Sequence, residues 1–68
     1  MQIGEIEKGK DRIIVSVKEF KGKQYVDVRT YFANDDGEWI PTKKGITLSP
    51  ENVDDAIRFL QEARKKLS

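Results

Sequence analysis

The sequence predicts an α+β fold: a four-stranded antiparallel β-meander followed by one C-terminal α-helix (β-β-β-β-α). Two observations carry this. Residues 12–48 alternate between apolar and polar positions and are broken by Gly- and Asp-rich turns. Residues 49–68 switch to apolar spacing of three and four, behind a Ser-Pro start. A third observation concerns assembly. With 68 residues and neither cysteine nor histidine, the chain is one small domain, 1–68, without disulfides or the usual zinc ligands to staple it. Self-association is the remaining way to complete a core, so a homodimer is expected.

The first strand is expected at Arg12–Phe20, with Ile13, Val15 and Val17 on one face and Arg12, Ile14, Ser16, Lys18 and Phe20 on the other. Lys21-Gly22 reads as a hairpin turn, since glycine accepts positive φ at no steric cost. The second strand spans Gln24–Phe32: Val26, Val28, Thr30 and Phe32 share one face, and Tyr25, Asp27, Arg29 and Tyr31 share the other. Asn34-Asp35-Asp36-Gly37 is a turn. A short third strand, Glu38–Ile40, is expected to stop at Pro41, which cannot donate to a ladder. A fourth follows at Lys44–Leu48, and no element is assigned to Met1–Asp11.

In the helix, Ser49 is the expected N-cap and Pro50 the first helical residue. Acids at 51, 54 and 55 and bases at 64, 65 and 66 complement the helix dipole. Val53, Ala56, Ile57, Leu60, Ala63 and Leu67 form an apolar stripe that Phe59 widens. Part of the stripe is expected to cover one sheet face and the rest to meet the same helix of a second chain.

Charge and composition narrow the function classes. Residues 8–48 carry nine Lys/Arg against six Asp/Glu, while the overall net charge is only +1. An anionic polymer would therefore need a local patch and a second source of affinity beyond bulk charge. The commonest general base and the strongest nucleophile are missing, and no glycine-rich phosphate loop is present, so no enzyme is expected. No cofactor, metal or small-molecule substrate is implied. No apolar run approaches the roughly 20 residues of a membrane-spanning helix, and Met1–Lys10 lacks the apolar core of a signal peptide. A cytoplasmic location is expected.

The candidate binding residues are Phe20, Lys21, Lys23, Arg29 and Phe32, with Lys18, Tyr25 and Tyr31 on the same strands. Exposed rings stack on unpaired bases and Lys/Arg track phosphates; the same residues also suit an ordinary sheet surface. Strand parity sends Phe32 and Tyr31 to opposite faces. Lys43-Lys44 at a loop fits phosphate or a solvated turn. Trp39 fits a base-stacking, a core or a dimer-contact role, and the sequence does not choose. The pair Asp35-Asp36 reads as turn chemistry.

The stretch "VSVKEFKGKQYVDVRTYF", the acidic glycine turn after it, and "PTKKGITLSPE" resemble the C-terminal domain of the eukaryotic transcriptional coactivator positive cofactor four. Small bacterial homologues consist of that domain alone. The resemblance runs from about Val15 to Glu51. It implies a homodimeric, Whirly-like fold that binds single-stranded DNA with little sequence preference, in transcription, replication or repair. Single-stranded RNA is an open variant, and a protein-interaction module docking an acidic partner is the rival reading. By resemblance, Phe20 and Phe32 stack on bases, and Lys21, Lys23, Arg29, Lys43 and Lys44 meet the backbone. Lys18 and Trp39 join them as candidates. Ile57, Phe59, Leu60 and Arg64 fall at the dimer contact. Phe32 stands where tryptophan is expected, and Ile40 stands where a basic residue is expected. Cytoplasmic, nucleoid-associated placement follows from the same resemblance.

Overall fold

The computed structural model describes residues 1–68. Four strands and one helix follow in order: β1 (Gln2–Lys8), β2 (Asp11–Phe20), β3 (Lys23–Ala33), β4 (Trp39–Leu48) and α1 (Pro50–Lys66). The strands form one antiparallel sheet in sequence order, so β1 and β4 are its edges. The fold class is the one the sequence predicts, but the strands are apportioned differently.

β1 is a strand that the alternation did not announce. Gly9, at φ 59°, opens the tight turn that pairs Lys8 with Asp11. Ile3 is an extra residue between the pairs Gln2–Ser16 and Gly4–Val15. The two short strands expected around Pro41 are a single strand, β4. Pro41 lies inside it, opposite Tyr31. An edge strand tolerates proline because the missing N–H is not needed by a further neighbour.

The turns follow their residue chemistry. Lys21 and Gly22 both have positive φ (53° and 78°), the arrangement of a two-residue type I′ hairpin whose twist matches its strands. Asn34 closes the β3–β4 loop: its Oδ1 accepts from the N–H groups of Asp36 and Glu38. Ser49 occupies the N-cap, yet its hydroxyl makes no capping bond; its carbonyl accepts from the N–H groups of Asn52 and Val53. The backbone N–H of Glu51 itself holds that carboxyl below its ordinary value, as expected for an acid at a helix start.

The register divides the sheet into two faces. Ile6, Ile13, Val15, Val17, Val26, Val28, Ile46 and Leu48 share the apolar face. Arg12, Ile14, Ser16, Lys18, Phe20, Lys23, Tyr25, Asp27, Arg29 and Tyr31 share the charged face. The helix does not cover the apolar face as expected. It touches only β3 and β4, and Pro50 and Val53 line a shallow pocket with Val17 and Val26. Ile6 and Ile46 are left exposed on the sheet, and Ile57, Phe59 and Leu60 on the helix, with Leu67 just past its end.

The single chain therefore has almost no core. Ile14, 5% exposed, is its one buried apolar residue. The radius of gyration is 13.7 Å, against about 11 Å for a compact chain of this length. The accessible surface is 5877 Å², where a compact protein of this mass exposes about 4,400 Å². No helix is long and apolar enough to cross a membrane.

Candidate nucleic-acid interface

Two clusters of cations stand at opposite ends of β3. The first is built by the β2–β3 hairpin. Phe20 pairs with Lys23 across the turn, so both side chains emerge on the charged face. Lys21 Nζ lies 5.4 Å from the Phe20 ring centre, and Phe20 is 64% exposed. A groove of about 620 Å³ runs beside the ring, lined by Phe20, Lys23, Tyr25, Thr47 and the start of α1.

The second cluster is a bulge in β4. Between the pairs Arg29–Gly45 and Tyr31–Pro41, three residues, Thr42, Lys43 and Lys44, stand opposite the single Thr30. A bulge of this kind re-aims side chains out of the ladder. Thr42 organises it: its hydroxyl donates to the Thr30 carbonyl at 2.7 Å and accepts from the Lys44 N–H at 3.1 Å. Gly45 lets the strand return to register. A Cβ there would sit 2.7 Å from the Val28 carbonyl oxygen and 2.9 Å from Arg29 Cα. Lys43 and Lys44 are exposed. At about 3.3 Å per residue, the seven steps from Lys23 to Thr30 place the two clusters about 23 Å apart.

Lys21, Lys23, Lys43 and Lys44 stand outside the chain's ion pairs, which join Arg12 to Glu5, Lys18 and Arg29 to Asp27, Arg58 to Asp55 and Lys65 to Glu62. Arg29 differs from these four lysines. Its guanidinium meets the Asp27 carboxylate at 3.0 Å and the Thr42 carbonyl at 2.9 Å. The hydrogen bonds it donates to Asp27 raise the Arg29 pKa above its ordinary value, although partial burial works the other way. Lys18 Nζ lies 3.8 Å from the same carboxylate.

The rings do not form one platform. Phe20 and Trp39 lie on the charged face, while Phe32 pairs with Ile40 on the apolar face. No bulge in β3 reverses this parity. Trp39 is half-buried under Arg12, whose guanidinium carbon is 4.4 Å from the ring centre and whose Nη1 bonds Glu5 at 2.7 Å. On the helix, Ile57, Phe59, Leu60 and Arg64 are all exposed, and the Arg58 guanidinium rests over Phe59 at 4.9 Å. The sequence reading missed Asp27, Thr42 and Gly45 as parts of the site. The Asp-x-Arg spacing, which puts both side chains on one face, was the available signal for the first.

Comparison with known proteins fits this arrangement. The profile of the family described as Transcriptional Coactivator p15 (PC4) matches residues 6–55. An Arabidopsis thaliana RNA polymerase II transcriptional coactivator, KELP, is 46% identical over 41 residues, 60% of this chain and 24% of the relative. A second, KIWI, is 35% identical over 54 residues, 79% of this chain and 50% of the relative. The chain thus spans from a quarter to a half of the length of these curated relatives. The crystal structure of a PC4 homolog from Burkholderia pseudomallei superposes with a TM-score of 0.92 at 32% identity, covering 98% of this chain and 92% of that one. A bacteriophage T5 homolog of PC4 superposes with a TM-score of 0.67 at 25% identity, covering 94% and 73%. The β2–β3 hairpin and the β4 bulge both lie within residues 6–55, and the chain belongs to the PC4 family.

Proposed function

We propose that this protein binds single-stranded DNA, with little sequence preference, as a homodimer. The observation that carries the reading is the Phe20 ring, exposed between two lysines free of ion pairs and about 23 Å from a second such pair. A ring of this kind stacks on any unpaired base, and each stacked base contributes about 1–3 kcal/mol. A duplex hides those faces, so cations alone would hold it. Trp39 is a secondary contact at the far end of the charged face, where Arg12 must leave its ring before a base can stack there, and Phe32, on the opposite face beside edge strand β4, is reached only by a strand that wraps that edge.

The dimer is supported by surface area. The chain exposes 5877 Å², about 1,500 Å² beyond a compact protein of its mass. An obligate dimer interface buries about 2,000–5,000 Å² over both partners, which such an excess on each chain supplies. Ile57, Phe59 and Leu60, with Arg64 at the rim, are its helical contacts. The setting is a process that separates DNA strands. The plant relatives are described as transcriptional coactivators and the phage homolog as implicated in recombination-dependent DNA replication.

Anisotropy titrations with labelled single-stranded and duplex oligonucleotides of one sequence, at low and moderate salt, test the reading. Preference for the single strand that survives moderate salt is expected. Equal binding that vanishes with salt would reject the stacking role, and a matching RNA strand decides between the two polymers.

A further inference from the structure

Arg29 commits much of its hydrogen-bonding capacity inside the chain. Its Nε donates to both Asp27 carboxylate oxygens at 3.2 and 3.3 Å, Nη2 donates to Oδ1 at 3.0 Å, and Nη1 donates to the Thr42 carbonyl at 2.9 Å. All three guanidinium nitrogens, which together carry five N–H donors in a fixed fork, are thereby engaged. Asp27 is 2% exposed, so its carboxylate is not free to leave. A cation that neutralises a buried carboxylate has little net charge to offer a phosphate. A cation bonded to the residue that opens the β4 bulge has another use. Thr42 is held on two sides, by Arg29 at its carbonyl and by Thr30 at its hydroxyl, and that hydroxyl in turn accepts from the Lys44 N–H.

We propose that Asp27 and Arg29 are positioning residues: the guanidinium, fixed by Asp27, braces Thr42 so that Lys43 and Lys44 are held at a set distance from Phe20. The inference rests on the single-strand reading above. Its physical basis is preorganisation. A two-lysine loop that is already ordered loses less conformational freedom on meeting a strand than a mobile one does. The planar fork is essential, because an ammonium cannot bridge a carboxylate and a carbonyl in the same plane.

Two substitutions separate bracing from charge. Arg29→Lys keeps the charge and loses the fork. Asp27→Asn raises the net charge by one unit, so a purely electrostatic account requires tighter binding, whereas bracing requires weaker binding. Anisotropy over a salt series is measured on the full chain, with amide hydrogen exchange of the free protein. Bracing predicts that Arg29→Lys weakens single-strand binding about tenfold and lowers the salt slope by about 0.7 for each lysine disengaged. The Lys44 amide should exchange faster in the variant while β2 amides keep their protection. Adding Arg29→Lys to Lys43→Ala/Lys44→Ala should then cost nothing further. Parent-like affinity and slope in Arg29→Lys, or tighter binding by a folded Asp27→Asn, would overturn the proposal. If Asp27→Asn fails to fold, Arg29→Lys and the double-mutant cycle decide. If the parent binds no single strand, the functional reading fails on its own, and Lys44 exchange still judges the brace: unchanged exchange in Arg29→Lys refutes it.

Discussion

The two faces of the sheet reverse the usual relation between hydrophobicity and burial. The apolar face, with Val15, Val28 and Ile46, is not covered by its own helix, and Ile46 is exposed. The charged face holds the three buried residues of the chain, Ile14, Ser16 and Asp27. Apolar surface left in water costs about 25 cal/mol per Å², so the bare face and the bare helix stripe call for a covering chain. The charged face is already organised, with Asp27 compensated by Arg29 and Lys18. Its exposed groups outside the ion pairs include Phe20 and Lys23, with Lys21 at the turn; Lys43 and Lys44 leave the ladder at the β4 bulge, where Lys44 borders Val28 and Ile46. One face is unfinished as a fold and the other is finished as a surface, which is why we assign the first to a partner chain and the second to a ligand.

The largest effect should come from breaking the first face. Leu60→Asp places a charge on the helix stripe, where burial without a partner is prohibitive. Monomers or unfolded chain are expected by light scattering and circular dichroism; a stable dimer would remove Leu60 from the interface. Next comes Phe20→Ala, on the second face. It should weaken single-strand binding by about 1–3 kcal/mol with thermal stability unchanged, because the ring is exposed. Loss of stability without loss of affinity would make Phe20 structural. Lys43→Ala with Lys44→Ala should flatten the salt slope by about 1.4 for a single strand, and parallel plots would take both lysines out of contact. Smallest is Lys21→Asn. Asn-Gly is the favoured type I′ pair, and relieving a lysine at φ 53° should stabilise the chain by about 0.5–1 kcal/mol while slightly weakening binding. A destabilised variant would show that the turn is not strained.

What the sequence made legible follows from local physics. The β2–β3 hairpin, the Asn34 turn and the helix start each rest on residues within a few positions of one another, and each stands where expected. β1 was hidden because Ile3 and Ile6 alone are apolar among Gln2, Gly4, Glu5 and Glu7; it is held by pairing with β2, not by its own pattern. Pro41 was misread as a terminator because its tolerance depends on β4 being an edge. The helix stripe showed which side is apolar, but periodicity carries no information on what covers it. Asp27 looked like one more polar strand residue, since its burial arises from side chains that converge only after β2, β3 and β4 pair.

The central claim, that the two faces serve different partners, is tested most directly by side-chain NMR of the assembled protein during titration with a single-stranded oligonucleotide. The account predicts that the ring signals of Phe20 and Tyr25 shift, while the methyl signals of Ile6, Ile57 and Leu60 stay in place. Shifts in those methyls with Phe20 unmoved would place the strand on the apolar face and contradict the division of labour.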